Sequence, residues 1–220
     1  MIIMPHRGKY DTSGLPEAQF EPGSRRRVLK HLRGITSKRE MDEAEAQEQL
    51  RALSELMTLY GAHQRFTAAD VCRIHKMWLG DIYEWAGKYR QVNISKGGFL
   101  FAAANQVPHL MAEFEKGPLR EYTPCSFETR DEIATALAVV HVELVLVHPF
   151  REGNGRVARM LAVLMALQAG LPLLDFSDIR GKKKTAYFSG VQAGMDRDYG
   201  PMAKVFSDVI RKTLRTHERR

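Results

Sequence analysis

The sequence predicts an all-α chain interrupted by one small β-hairpin, and three observations carry that prediction. Apolar residues recur at helical spacing over several long stretches. Those stretches open on capping residues and close on glycine or proline. Only one short segment, residues 92–101, alternates with the period of a strand. With 220 residues, 44% of them hydrophobic, the chain can bury a sizeable core as one domain, or as one domain with an appendage.

Residues 1–30 carry Pro5, Gly8, Gly14, Pro16, Pro22 and Gly23 with little periodicity. They predict an extended basic arm, ordered only if it packs on the body. A helix is expected from Ser37 to about Tyr60. Ser37 with Glu40 three residues on makes a capping box, and Met41, Ala44, Leu50, Leu53, Leu56 and Met57 supply the apolar stripe. Thr67 opens a second helix, to about Tyr83, with Val71, Ile74, His75, Trp78 and Leu79 at helical spacing. His75 among those neighbours is expected to be a satisfied core residue rather than a ligand. Val92 and Ile94 then alternate with polar residues, Ser95-Lys96-Gly97-Gly98 turns the chain, and Phe99 and Phe101 alternate on the return. A lone two-stranded hairpin is marginal, so this one must lean on the body.

Ala104 to about Phe114 predicts a short helix ended by Gly117-Pro118. Acids at Glu128, Asp131 and Glu132 suit the start of the next helix. Its residues Ile133, Leu137, Val140, Leu144 and Val147 form one stripe, with more apolar residues around it, so it is expected to be buried. His141 lies two turns before His148 and is expected in a hydrogen-bonded core or supporting role. Val157 to Ala169 continues as a helix stopped by Gly170. The basic run Arg180 to Thr185 precedes a helix with Tyr187, Phe188 and Val191. Tyr199 to Leu214 gives a last amphipathic helix, and 216–220 a basic tail.

The net charge of +7 is concentrated near the ends, at Arg25-Arg26-Arg27 and from Arg211 to Arg220. Such runs are expected to be solvated, and no nucleic-acid-binding motif accompanies them. The longest apolar run, Ile133 to Val147, contains His141 and Glu143 and is too short to span a bilayer, so no membrane association is expected. Cys72 and Cys125 make neither a disulfide framework nor a metal spacing, and no secretory leader is visible, which points to a reducing cytoplasm.

The chemistry is concentrated in His148-Pro149-Phe150-Arg151-Glu152-Gly153-Asn154-Gly155-Arg156-Val157-Ala158-Arg159. Pro149 should break the preceding helix at His148, leaving the imidazole at a helix end facing a turn. Gly153 and Gly155 let the backbone approach an anion, and the next helix points its free N–H groups at the same place. Arg156 and Arg159, three apart, are expected on one face, where two guanidinium forks suit a polyphosphate. Glu152 can hold a magnesium ion shared with phosphate oxygens. His148 has the side chain most often used to take a proton near neutral pH.

This stretch resembles the Fic family motif, His-Pro-Phe-x-Asp/Glu-Gly-Asn-Gly-Arg-x-x-Arg, and matches it at every specified position. The segment Ile82-Tyr83-Glu84-Trp85-Ala86-Gly87, on to Arg90, is similar to the corresponding region of Fic proteins. The resemblance implies a helical Fic fold over residues 61–215 with a β-hairpin flap beside the active site. It implies transfer of AMP from ATP, with Mg2+, to a Ser, Thr or Tyr hydroxyl of a target protein, and leaves self-modification open. By position, His148 would be the base and Glu152 the metal ligand. Phe150, Gly153, Asn154, Gly155, Arg156 and Arg159 would serve the nucleotide. The flap residues Val92, Ile94, Phe99 and Phe101 would dock the target.

Fic proteins also carry an inhibitory helix whose glutamate pairs with the second motif arginine. Residues 31–60 resemble it through Thr36-Ser37-Lys38-Arg39-Glu40-Met41, with Met41 in place of the small or polar last residue. Thr36 and Glu40 are thus candidates for inhibition, although capping alone explains Glu40. The rival readings are another transfer on the same fold (UMP or phosphoryl), AMP removal, or a non-catalytic nucleotide-binding interaction module. The target, the nucleotide base and the oligomeric state leave no mark in the sequence.

Overall fold

The computed structural model describes residues 14–219 apart from Gly97. Its axis is α5 (Arg130–Val147), 12 of whose 18 residues are buried. The chain enters it through a closed capping box: Thr129 Oγ1 accepts from Glu132 N–H, and the Glu132 carboxylate accepts from Thr129 N–H at 2.9 Å. The mostly apolar sequence is satisfied by packing against α6 (Asn154–Gln168) and α8 (Gly200–His217), with α7 (Lys182–Ala193) lodged between α8 and α5. α1 (Lys38–Leu59) packs on α2 (Ala68–Leu79), and both reach α6. Among the described residues, no helix is long and apolar enough to cross a membrane.

Several expectations need correction. α1 starts where expected, but Ser37 makes a single cap bond, its Oγ accepting from Glu40 N–H at 3.4 Å. Leu50, counted in the apolar stripe, is 73% exposed, and the buried face is Met41, Glu45, Ala52 and Leu56. α2 ends at Leu79 rather than near Tyr83. Ile82 and Tyr83 both return N–H bonds to Leu79 O in a tight turn. The helix α3 (Val107–Phe114) is not stopped by Gly117-Pro118. Residues Glu115–Leu119 widen into a π turn that leads to the short α4 (Arg120–Tyr122). The wider turn accommodates a proline that has no N–H to give.

The first strand forms later than the alternation suggests, while the return strand begins at Phe99 as expected. β1 (Ser95–Lys96) pairs antiparallel with β2 (Phe99–Leu100), Ser95 opposite Leu100 and Lys96 opposite Phe99, and Phe101 N–H donates to Ile94 O at 3.3 Å. The turn lies after Lys96 because Gly98 supplies the positive φ (82°) that a tight hairpin needs. Val92, expected in the first strand, is buried below the hairpin.

Residues 1–13 of the expected arm and Arg220 of the expected tail lie outside the described residues. The rest of the arm is packed rather than extended. Pro16–Ala18 form a 3-10 turn, Phe20 bridges to Leu29, and Val28 and Leu29 are buried. Arg25 to Arg27 sit exposed on the intervening loop. At the other end, the lysine and acid side chains neutralise one another: Lys212 lies 2.9 Å from Asp175 and 2.8 Å from Asp178. α8 runs on to His217, beyond the expected end at Leu214.

Candidate active site

The turn from α5 to α6 is built by backbone constraints. His148 caps α5 in the left-handed region (φ 52°), the conformation in which many helices end, and Pro149 keeps the helix from continuing. Its Nδ1 lies 3.0 Å from Val145 O, so Nδ1 carries the proton and Nε2 is the basic nitrogen. Asn154 turns its side-chain amide back onto Phe150, donating to Phe150 O and accepting from Phe150 N–H, both at 2.8 Å. Gly153 (φ 85°) then starts α6, and the first helical bonds, from Arg156 and Val157, go to Gly153 O. Asn154 and Gly155 precede those bonds, so their N–H groups belong to the open N-terminus of a 15-residue helix.

Three distant residues hold this turn. His75 is fully buried, accepts Gly87 N–H at Nδ1 (2.7 Å) and donates from Nε2 to Glu152 O (3.2 Å). Its ring also stacks on Phe150 with centroids 3.9 Å apart and planes 5° apart. Burial drives its pKa down to about 3, so it is a neutral strut. Arg90, 1% exposed, donates to His148 O (2.8 Å), Val92 O (2.9 Å) and Ala102 O (2.5 Å), joining the turn to both roots of the hairpin. Glu17 accepts Gln91 N–H at 2.6 Å, while its carbonyl accepts from Arg151 Nε at 2.9 Å; burial raises the pKa of its carboxyl.

The charged groups face the helix start. Glu152 is exposed, and its Oε1 accepts from Gly153 N–H (3.0 Å) and lies 3.5 Å from Arg156 Nη2. A carboxylate of the chain's own thus occupies a donor at the start of α6. Arg156 Nη1 donates to Glu45 Oε2 at 2.6 Å, and its guanidinium lies 4.5 Å above the Trp78 ring. Arg159 goes elsewhere, to the neighbourhood of His141 and within hydrogen-bonding reach of the Tyr187 hydroxyl. The expectation that both arginines share one face is corrected: residues three apart sit about 60° apart around a helix, and different partners draw them further. His141 is buried, its Nε2 is 2.6 Å from Tyr187 Oη, and burial lowers its pKa to about 3.

Phe101 of the hairpin stacks on His148, ring centroids 3.6 Å apart. Phe99 lies edge-on to Phe101 at 5.0 Å, so the hairpin lies over the imidazole.

The structure therefore brings together His148, Glu152, Gly153, Asn154, Gly155, Arg156 and Phe101. Two expected nucleotide contacts are corrected. Phe150 is fully buried against His75 and supports the turn from beneath. The Asn154 side chain is spent on Phe150, leaving its backbone N–H for an anion. Glu40 is exposed in the first turn of α1; the carboxylate that α1 presents to the motif is Glu45, and the arginine it holds is Arg156. Sequence reasoning missed Glu45 and the role of Arg90. Glu45 could have been found, because it falls in phase with Met41, Ala52 and Leu56.

Residues 65–166 match the model of the Fic/DOC family. Over that span, a little under half of the chain, the sequence is similar to the Fic/DOC family. Among curated proteins, Protein adenylyltransferase VbhT of Bartonella schoenbuchensis is 29% identical over 207 residues, covering 94% of this chain and 40% of VbhT. Protein adenylyltransferase Fic of Culex quinquefasciatus is 27% identical over 158 residues, covering 71% of this chain and 30% of that protein. The chain thus spans less than half the length of these two relatives. The crystal structure of BepC from Bartonella tribocorum with bound AMPPNP superposes with a TM-score of 0.67 at 26% identity, over 82% of this chain and 91% of that one. The matched span contains the motif turn, whereas α1 and α7–α8 lie outside it.

Proposed function

We propose that this protein transfers AMP from ATP to a Ser, Thr or Tyr hydroxyl of a target protein. The observation that carries the reading is the joint geometry of the turn. An imidazole with its tautomer fixed by Val145 O stands at one end, and an open helix N-terminus with a cationic neighbour stands at the other. The names of the relatives support the same chemistry.

In this mechanism the outer phosphates of ATP take the donors of the α6 N-terminus and Arg156, displacing the Glu152 carboxylate from Gly153 N–H. His148 Nε2 removes the proton of the target hydroxyl as its oxygen attacks the α-phosphorus. The bond from that phosphorus to the bridging oxygen breaks, and pyrophosphate leaves with the electron pair. Phe101 over the imidazole limits water at the base, and the hairpin edge holds the target segment extended. The residues fit a magnesium ion only when it arrives with the nucleotide. Glu152 is one exposed carboxylate, and no group of three or more His, Cys, Asp or Glu suited to a metal occurs among the described residues. Bound there, Mg2+ would neutralise charge developing on the phosphates. The free thiols of Cys72 and Cys125, the latter raised by burial to about 12, suit a reducing cytoplasm.

The test is incubation of the protein with Mg2+, candidate targets and ATP labelled at the α or the γ position. α-Label on protein, reduced about 10²–10⁴-fold by His148→Ala with nucleotide binding retained, supports the proposal. γ-Label only, or transfer undiminished in His148→Ala, refutes it.

A further inference from the structure

Glu45 lies on α1, outside the span matched to the Fic/DOC family, yet both its carboxylate oxygens are hydrogen-bonded, one of them to a motif arginine. It is 1% exposed. Oε1 accepts from Tyr83 Oη at 2.8 Å, Oε2 accepts from Arg156 Nη1 at 2.6 Å, and its backbone O accepts from Trp78 Nε1 at 2.8 Å. Trp78 in turn underlies the Arg156 guanidinium at 4.5 Å and meets Gly153 from below. Arg156 thus sits in a socket, with a carboxylate on one side, an indole beneath, and Glu152 of the turn 3.5 Å from its other nitrogen.

A buried carboxylate is costly unless it is paired and fully hydrogen-bonded, and apolar packing is usually the cheaper way to fill a core position. Here the pairing goes to a motif arginine that must meet phosphate with a fixed fork. Fixing one edge of a guanidinium leaves fewer rotamers to lose when an anion binds to the other. We propose that Glu45 is a positioning residue for nucleotide binding, presetting Arg156 for the phosphates, so that α1 is part of the functional site. This rests on the phosphate role given to Arg156 above.

The experiment measures binding of a non-hydrolysable α,β-methylene ATP with Mg2+ by calorimetry, on the full chain, for Glu45→Ala, Glu45→Gln, Arg156→Ala and Glu45→Ala/Arg156→Ala, with melting temperatures recorded alongside. Glu45→Ala should weaken binding about 10-fold or more, the range seen when a supporting partner of a site residue is removed. Glu45→Gln keeps an acceptor for Arg156 and should recover most of that loss. In the Arg156→Ala background, Glu45→Ala should add less than about 2-fold, because coupled residues are not additive. Multiplicative losses in the double variant overturn the positioning role, as does a Glu45→Ala that melts lower but binds unchanged. Tighter binding by Glu45→Ala overturns it too, since Glu45 would then restrain Arg156 rather than present it. If Arg156→Ala itself binds normally, the phosphate role of Arg156 fails, and the inference falls with it.

Discussion

The two glycines of the Gly-Asn-Gly turn should respond oppositely to alanine. At Gly153 a Cβ would lie 2.6 Å from Trp78 Cζ3 and 3.0 Å from Cη2, and the residue sits at φ 85°. The left-handed conformation costs a non-glycine residue about 1–2 kcal/mol. Pushing against a fully buried indole adds about 1–3 kcal/mol. A loss of about 3 kcal/mol in a domain of this size corresponds to about 6–12 °C in Tm. At Gly155 a Cβ would meet only Tyr187 Oη, at 4.0 Å, and the position is helical. Alanine there is worth up to about 1 kcal/mol of helix propensity. Gly155→Ala should therefore melt at or slightly above the wild-type temperature while binding ATP less tightly, because the methyl stands where phosphate approaches backbone. Thermal melts followed by circular dichroism, with nucleotide titrations, separate the two. A Gly155→Ala that melts as low as Gly153→Ala, or a Gly153→Ala that melts like wild type, refutes the assignment of steric roles.

Two further predictions concern pH and control. His75 and His141 are both held neutral, with pKa values lowered to about 3 by burial against an ordinary value near 6.5. Because the folded values lie below the unfolded ones, their contribution is complete above pH 6.5 and is lost as pH falls toward 3. Each contributes a slope of about 1.4 kcal/mol per pH unit in that window, about 2.7 together. Urea unfolding should show a loss of about 2 kcal/mol between pH 6.5 and 5.5, because the slope is only half developed at the unfolded pKa, and His141→Asn should remove about half; no dependence on pH over the interval would refute it. Glu40→Gly should leave the rate of AMP transfer unchanged, since Glu40 is an exposed first-turn residue and the carboxylate facing the motif is Glu45. A severalfold acceleration measured with α-labelled ATP would restore inhibition by Glu40.

What the sequence makes legible is what it makes local. Helix starts at Ser37 and Thr67 are each decided within four residues, and both caps form. The motif turn is legible for the same reason: Pro149, Gly153 and the first turn of α6 determine one another within twelve residues. The hairpin is legible in kind but not in register, because Val92 alternates with its neighbours yet is buried, with its carbonyl held by the buried Arg90. Phe150 and Asn154 were placed in the right turn with the wrong duties, since only the fold shows their bonds pointing inward.

The supports of the site are invisible for the converse reason. Arg90 reaches His148 across 58 residues, His75 reaches Glu152 across 77, Glu45 reaches Arg156 across 111, and Arg151 reaches Glu17 across 134. No periodicity of apolar residues registers a charged side chain that is buried in order to hold another. Such a residue does leave a trace once the helix phase is known, as a polar gap in an inward face. Glu45, four residues from Met41 and seven from Ala52, is that gap in α1. A core position filled by a carboxylate where an aliphatic chain would fit at less desolvation cost calls for a partner, and here the partner is an arginine of the motif turn. An inward charge on a helix remote from the motif is therefore a pointer to the site, and in this chain it makes α1 the place where nucleotide affinity can be altered without touching a motif residue.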